Sequence, residues 1–414
     1  MSALYRLTLG MLMGLLLGLA GCASNPLQME PATYLNDARF KPPSQAIPAA
    51  TEVLAPSAQM REYLRTNPEF RLLRRRLGDR EALAEALYAR PLLQIEYDSS
   101  FTRNAAEAFE AKSGNCLALV IMTASLAHEL QLPVRYQVVF TDEFWTRGGG
   151  LNLVAGHVNL TLGTPFRFTS GTLLVEPDLL QIDFLRAVTA SAYRRMEVDE
   201  NTIIAMYYNN RAVESLQEGH VDDAYWWARA AMLHQPRYLA AYNTMAVIYR
   251  RHGDSTAAES ALRGVLARES GNVQALSNLA LVLGDQQRVD EAKVVQARLA
   301  ELQPYPPFRF FDLGVEAMGK GEYAKARDLF QREISRSAYY HEFYFWLALA
   351  DYALGDMKGA SKNLSLAAEN SLTRKDHDRY AAKLSWIEQR QRTKEQVIPL
   401  PSALPTVNNP NRAY

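Results

Sequence analysis

The chain has 414 residues, and its 45 Lys plus Arg balance 45 Asp plus Glu, leaving no net charge at neutral pH. That balance supplies no electrostatic footprint for a polyanion, so nucleic acid is excluded as an expected partner. A hydrophobic content of 48% describes a globular chain, and the length suggests two or three domains.

The start of the chain is a short charged end at Arg6 and an apolar run from Leu7 to Leu19, followed by Ala20-Gly21-Cys22. At about 13 residues the run is shorter than the roughly 20 needed to cross a bilayer, which favours a secretory signal over a membrane helix. Leu19-Ala20-Gly21-Cys22 resembles the lipobox of bacterial lipoproteins. The resemblance implies lipidation of Cys22 and a membrane anchor. With Ala23-Ser24 and no Asp after the cysteine, it also implies the outer membrane of a diderm envelope, facing the periplasm. Residues 1–22 are thus expected to be the signal and lipobox, and residues 23–55, rich in Pro, Ala and Ser, a flexible tether. The only other cysteine is Cys116, which is left without an intrachain partner if Cys22 carries lipid. A free thiol in an exported protein calls for a reason.

Residues 56–200 have a different grammar. Helical patterning covers Met60 to Arg65, Leu83 to Tyr88 with Asp79 as its N-cap, and Arg103 to Ala111, which breaks at Ser113-Gly114-Asn115. Cys116 then opens an apolar helix from Leu117 to Leu130 that Pro133 stops. Val134 to Phe140 alternates as a strand, Gly148-Gly149-Gly150 reads as a loop, and His157 to Leu162 alternates again. A hairpin at Phe166-Arg167-Phe168 and Thr172 to Val175 would return the chain beside His157 through a strand from Leu179 to Phe184. Helix followed by strands predicts an α+β domain.

A cysteine at a helix N-terminus faces unpaired backbone N–H groups and the positive end of the helix dipole, the setting in which a thiol serves as a nucleophile. The same N–H groups suit an oxyanion on an attacked carbonyl. A histidine at a strand edge is the natural base, and a carboxylate on the next strand would orient its ring. The stretch Ser113-Gly114-Asn115-Cys116 through Ala127-His128-Glu129-Leu130-Gln131-Leu132-Pro133-Val134-Arg135-Tyr136 resembles the transglutaminase-like cysteine peptidase superfamily. The resemblance, over roughly residues 95 to 185, implies a papain-like core in which a cysteine-bearing helix packs on an antiparallel sheet. It makes Cys116 the nucleophile and His157, in Gly156-His157-Val158, the base. Three residues compete for the acid: Asp183, favoured on the expected strand order, with Asp178 and Glu176, which precedes Pro177, as alternatives. His128-Glu129 lacks a second histidine at zinc-helix spacing, and Gly148 to Gly150 lacks the lysine and helix of a phosphate loop, so no metal or cofactor is expected.

From residue 201 to 395 the sequence repeats every 34 residues. Ala224, Ala258, Ala292, Ala326 and Ala360 share one register, Ala212, Ala246, Ala280, Gly314 and Ala348 a second, and Gly219, Gly253, Gln287, Gly321 and Gly355 mark the turn. Small residues let two helices approach closely. The pattern is that of tetratricopeptide (TPR) repeats and predicts an all-α solenoid of about five units. Such arrays bind a protein or peptide on a concave face, and Asn209, Asn210, Asn243 and Asn278 are candidates to pair with its backbone. Trp226, Trp227 and Phe343-Tyr344-Phe345-Trp346 read as packing between repeats. Residues 396–414, rich in Pro, are expected to be disordered.

Two functions follow. One is an envelope enzyme performing thiol-dependent peptidase, amidase or transamidase chemistry on a protein selected by the repeats. The alternative is an inactive, lipid-anchored TPR scaffold that organises envelope proteins. A further possibility is that the repeats cap the catalytic cleft until a partner engages them.

Overall fold

A computed structural model of the chain describes residues 29–89, 92–140, 145–148, 151–154, 157–164, 178–184, 194–338, 340–371 and 373–396. Cys22 and the signal, the tail beyond 396, Glu176 and the proposed hairpin at 166–175 lie outside the described residues. The chain divides into two compact units, Met1–Pro306 and Pro307–Tyr414.

In the first unit, helices α1 (Ala50–Val53), α2 (Ala58–Thr66), α3 (Pro68–Leu77) and α4 (Asp79–Tyr88) precede the short strand β1 (Glu96–Tyr97). Ser57 and Asn67 cap α2 and α3 by accepting from Met60 N and Phe70 N. α3 was not anticipated, and Asp79 is not the cap of α4. Gly78, at φ 89°, takes the N-cap position, and the Asp79 carboxylate instead accepts two bonds from Arg74 at 2.7 and 2.8 Å. α5 (Ala105–Ala111), β2 (Ser113–Gly114) and α6 (Cys116–Glu129) follow. β1 pairs with β2 in parallel, Tyr97 opposite Gly114. Every residue of α6 from Leu117 to Ala127 is buried. The helix ends before Pro133, through Gln131 at φ 56° and a bond from Leu132 N–H to Ala127 O.

The sheet is antiparallel in the order β7 (Asp178–Ile182), β6 (His157–Thr164), β3 (Val134–Phe140), β8 (Arg194–Val198). Val158, Leu160 and Leu162 stand on one face with Val138, Tyr136 and Ile182, while His157, Asn159 and Thr161 share the other with Gln137. Both sets on β6 are buried, which places this strand inside the unit. β8 and the separate hairpin β4 (Trp145–Gly148) with β5 (Leu151–Val154) were not foreseen, and Gly148 belongs to a strand rather than a loop.

Three antiparallel helix pairs complete the unit: α7 (Glu200–Gln217) with α8 (Val221–His234), α9 (Leu239–Arg251) with α10 (Ser255–Arg268), and α11 (Val273–Asp285) with α12 (Val289–Leu302). Ala212, Ala224, Ala246 and Ala258 are fully buried where these helices meet. Gly219 and Gly253 turn at φ 85° and 88°. The third turn uses Gln287 in the same left-handed conformation, φ 61°.

The expected tether is, from Met29 onward, a packed strap across α8, α9 and α10. Phe40 is buried and stacks on Tyr225 with ring centroids 3.9 Å apart. Tyr225 OH donates to Asp37 at 2.6 Å, Tyr249 OH to Tyr34 O at 2.8 Å, and Trp226 Nε1–H to Lys41 O at 2.6 Å. Trp226 therefore serves the strap rather than a neighbouring repeat. The segment lacks periodicity because it contributes isolated anchors, and helix side chains satisfy its backbone groups.

The second unit holds two further pairs, α13 (Arg309–Gly319) with α14 (Tyr323–Arg336) and α15 (His341–Ala353) with α16 (Met357–Glu369), then α17 (Arg374–Gln396). Gly314 is required here: a Cβ would meet Phe330 Cε1 at 2.5 Å. Phe343 and Tyr344 are buried within this unit, as their packing role predicted. The chain is mostly helical, built from helix pairs at tetratricopeptide spacing.

Candidate active site and repeat surface

Cys116 is the first residue of α6 and partly buried. Asn115 caps the helix, its Oδ1 accepting from Ala118 N at 2.9 Å. His157 opens β6 opposite Val139, and Asp183 directly follows β7, whose Ile182 pairs with Leu160. Continuing that register sets Asp183 beside Asn159, on the same face as His157. His157 Nε2–H donates to Asp183 Oδ1 at 2.8 Å, and Asn159 Nδ2 donates to Asp183 Oδ2 at 3.1 Å. Both carboxylate oxygens are engaged, so the acid is fixed in the plane that serves the ring.

His157 is 1% exposed. Its Nδ1 has no hydrogen-bond partner and is the ring nitrogen that Asp183 leaves free, while the nearby Cys116 sulfur favours the charged ring. Burial alone pulls the ring pKa down, but the bonds and charges of Asp183 and Cys116 outweigh it and push the pKa up to about 9. The site therefore favours the charged ring, in which both nitrogens carry a proton. Tyr97 completes the surroundings. The parallel pairing of β1 with β2 brings its hydroxyl to the backbone N–H of Cys116, and burial, then the nearby thiol, drive the phenol pKa upward.

The structure thus brings Cys116, His157 and Asp183 together. Asp178 stands apart, opposite Thr164 and seven residues along β6 from His157, about 23 Å at the rise of an extended strand. The sequence reading did not include Asn159 and Tyr97. The two-residue period of His157-Val158-Asn159 points to the first; nothing local points to the second.

Asn209 and Asn243 occupy equivalent positions of α7 and α9, both buried, each with an unpartnered Oδ1. Asn243 Nδ2 donates to Asn272 at 3.4 Å. Asn210 does not join them: its Nδ2 donates to Thr102 Oγ1 at 3.3 Å. Asn278, partly exposed, is in register with Asn210 and not with Asn209 or Asn243. Among the described residues no cluster of His, Cys, Asp and Glu is arranged to hold a metal, and no helix is long and apolar enough to cross a membrane.

No family model matches the chain, and no curated protein matches it. Several solved structures are similar to parts of it. PilF of Pseudomonas aeruginosa is 20% identical, over 48% of this chain and 90% of that one, with a TM-score of 0.28. MamA from Desulfovibrio magneticus RS-1 is 17% identical, over 40% and 94%, with a TM-score of 0.24. The APC/C hetero-tetramer Cut9–Hcn1 is 15% identical, over 45% and 37%, with a TM-score of 0.28. These are TPR-repeat proteins. For this chain the assignment rests on its own helix pairs and their 34-residue period.

Proposed function

We propose that the Cys116 site performs thiol-dependent chemistry on an amide or acyl carbonyl, as a transglutaminase-like cysteine peptidase, amidase or transamidase, and that the helical repeats select the protein it acts on. The observation carrying this reading is the buried imidazole held between a doubly bonded carboxylate and a helix-terminal thiol. In that arrangement the cationic ring stabilises negative charge on the sulfur, and Sγ attacks the carbonyl carbon, forming the C–S bond as the C=O electrons move to oxygen. The Tyr97 hydroxyl, whose oxygen meets the Cys116 N–H and whose own proton is left to donate, serves that oxygen. Collapse expels the amine, which takes the Nδ1 proton. Water or a second amine then attacks the thioester while the ring, now neutral, accepts its proton, and the C–S bond breaks to release the product and return the Cys116 thiolate beside the cationic ring. Asp183 holds the ring orientation throughout.

The test is alkylation of Cys116 by iodoacetamide at neutral pH, followed by mass spectrometry of its peptide. The expected rate exceeds that of free cysteine by about tenfold or more and falls in His157→Ala. Equal rates in wild type and mutant would sink the proposal.

A second reading, an inactive scaffold, has its own support in the helix pairs at tetratricopeptide spacing, where Asn209 and Asn243 are equivalent buried amides whose unpartnered oxygens would meet a peptide only once uncovered. It expects Asn209→Ala with Asn243→Ala to abolish capture of a partner from envelope extract while Cys116→Ala changes nothing. Attachment to the membrane through lipidated Cys22, on the outer membrane's periplasmic side, belongs to both readings. Metabolic labelling with a fatty acid analogue, absent in Cys22→Ala, tests it.

A further inference from the structure

Thr102 is fully buried on the loop between β1 and α5, and it joins two parts of the first unit. Its Oγ1 accepts from Asn115 Nδ2 at 2.7 Å and from Asn210 Nδ2 at 3.3 Å. A hydroxyl oxygen accepts two bonds, so its capacity is filled. Its backbone N–H donates to Glu214 Oε1 at 2.8 Å, and Glu214 Oε2 accepts from Arg211 at 2.9 Å. The Arg211 guanidinium in turn lies 3.8 Å from the ring centre of Phe101, the residue before Thr102. Asn210, Arg211 and Glu214 all belong to α7, the first repeat helix; Asn115 is the N-cap of the helix that begins with Cys116.

The direction of this junction decides its effect. With Nδ2 bonded to Thr102, the Asn115 side chain has only Oδ1 to offer the helix, and Oδ1 accepts from Ala118 N. That is the orientation a cap requires. Remove the hydroxyl and the amide loses the partner that sets its rotamer, in the residue adjoining the nucleophile. We propose that Thr102 and Asn210 are positioning residues for Cys116, so that the first repeat helix is a working part of the thiol site. The inference rests on the reading of Cys116 as a nucleophile.

The experiment uses the whole chain and follows alkylation of Cys116 by iodoacetamide in Thr102→Val, Thr102→Ser and Asn210→Ala, with thermal unfolding measured alongside. Thr102→Val keeps the shape of the side chain and removes the acceptor; Thr102→Ser keeps the acceptor and removes a methyl group. Expected are rates about fivefold slower in Thr102→Val and Asn210→Ala, and a rate close to wild type in Thr102→Ser even though its Tm falls. A role in stability alone would make the two Thr102 variants lose rate in step with Tm. If Thr102→Val fails to fold, the comparison of Asn210→Ala with wild type decides. A fast, His157-dependent wild-type rate that is unchanged in Thr102→Val and Asn210→Ala overturns this inference and leaves the thiol reading intact. A wild-type rate no faster than free cysteine overturns both.

Discussion

At His157 burial and bonding oppose each other, and bonding wins, because Asp183 and Cys116 both favour the charged ring while only desolvation disfavours it. The consequence is a defined pH dependence of stability. An unfolded histidine titrates near 6.5 and this folded one near 9, so folding takes up a proton between those values. The contribution is full below pH 6.5 and fades as pH rises through 9. Its size is on the order of 3 kcal/mol. The Tm difference between wild type and His157→Gln should therefore be largest at pH 6 and shrink steadily toward pH 9.5; a difference that is flat across that range would count against the bonded ring. Asp183 and Asp178 separate in the same way. Asp183→Asn should slow Cys116 alkylation about tenfold, whereas Asp178→Asn, on β7 opposite the far end of β6, should leave it unchanged. Cys116 was legible because a thiol two residues after Gly114 and opening an apolar run is a local signal. Asp183 was legible only through strand order, and Thr102 not at all. Its partners lie 13 and 108 residues away, and no pattern in the chain marks them as neighbours.

The helical elements declared themselves best, since period and small-residue spacing act within one turn or one hairpin. The 34-residue spacing located every turn, and the one turn that departs from glycine offers a measurement. Gln287 holds φ 61°, where a side chain is strained, while its counterparts Gly219 and Gly253 hold φ 85° and 88°. Gln287→Gly relieves the strain but loosens the unfolded chain, so the expected gain is about 1 kcal/mol. Urea unfolding should show a higher midpoint with an unchanged slope; a lower midpoint would mean that the Gln287 side chain makes contacts outweighing its backbone. Helix starts were less legible. Asp79 looks like a cap, yet Gly78 occupies that position and Asp79 answers Arg74 on the preceding helix. β8 escaped notice because Arg194-Arg195-Met196-Glu197-Val198 carries three charges and pairs only at the sheet edge beside β3.

At the scale of the first unit, sequence reading divides what packing joins. A boundary near residue 200 follows the change of pattern from strands to 34-residue repeats, but one continuous apolar core runs from Met29 in the strap, through α6 and the sheet, to Ala292 in α12. Ile203, Ile204 and Tyr207 on α7 are part of that core, Tyr136 OH on β3 donates to Glu200 at 2.7 Å, and Thr102 donates to Glu214. The strap is also tied to this unit, Phe40 and Asp37 meeting Tyr225 on α8 and Tyr34 accepting from Tyr249 on α9. A fragment of residues 56–199 therefore exposes the surface that α7 covers and leaves the buried Tyr136 and Thr102 without acceptors. At roughly 1 to 3 kcal/mol for each unsatisfied group, added to the lost apolar burial, the deficit is comparable to the whole stability of a domain. A fragment of residues 29–306 retains every one of these contacts. Circular dichroism and limited proteolysis should find the longer fragment cooperatively folded and protease-resistant, with Cys116 alkylated at the rate of the whole chain, and the shorter one unfolded. A folded 56–199 fragment would show instead that α7 is an attachment to an independent domain, and the interdependence argued from Thr102 would fall with it.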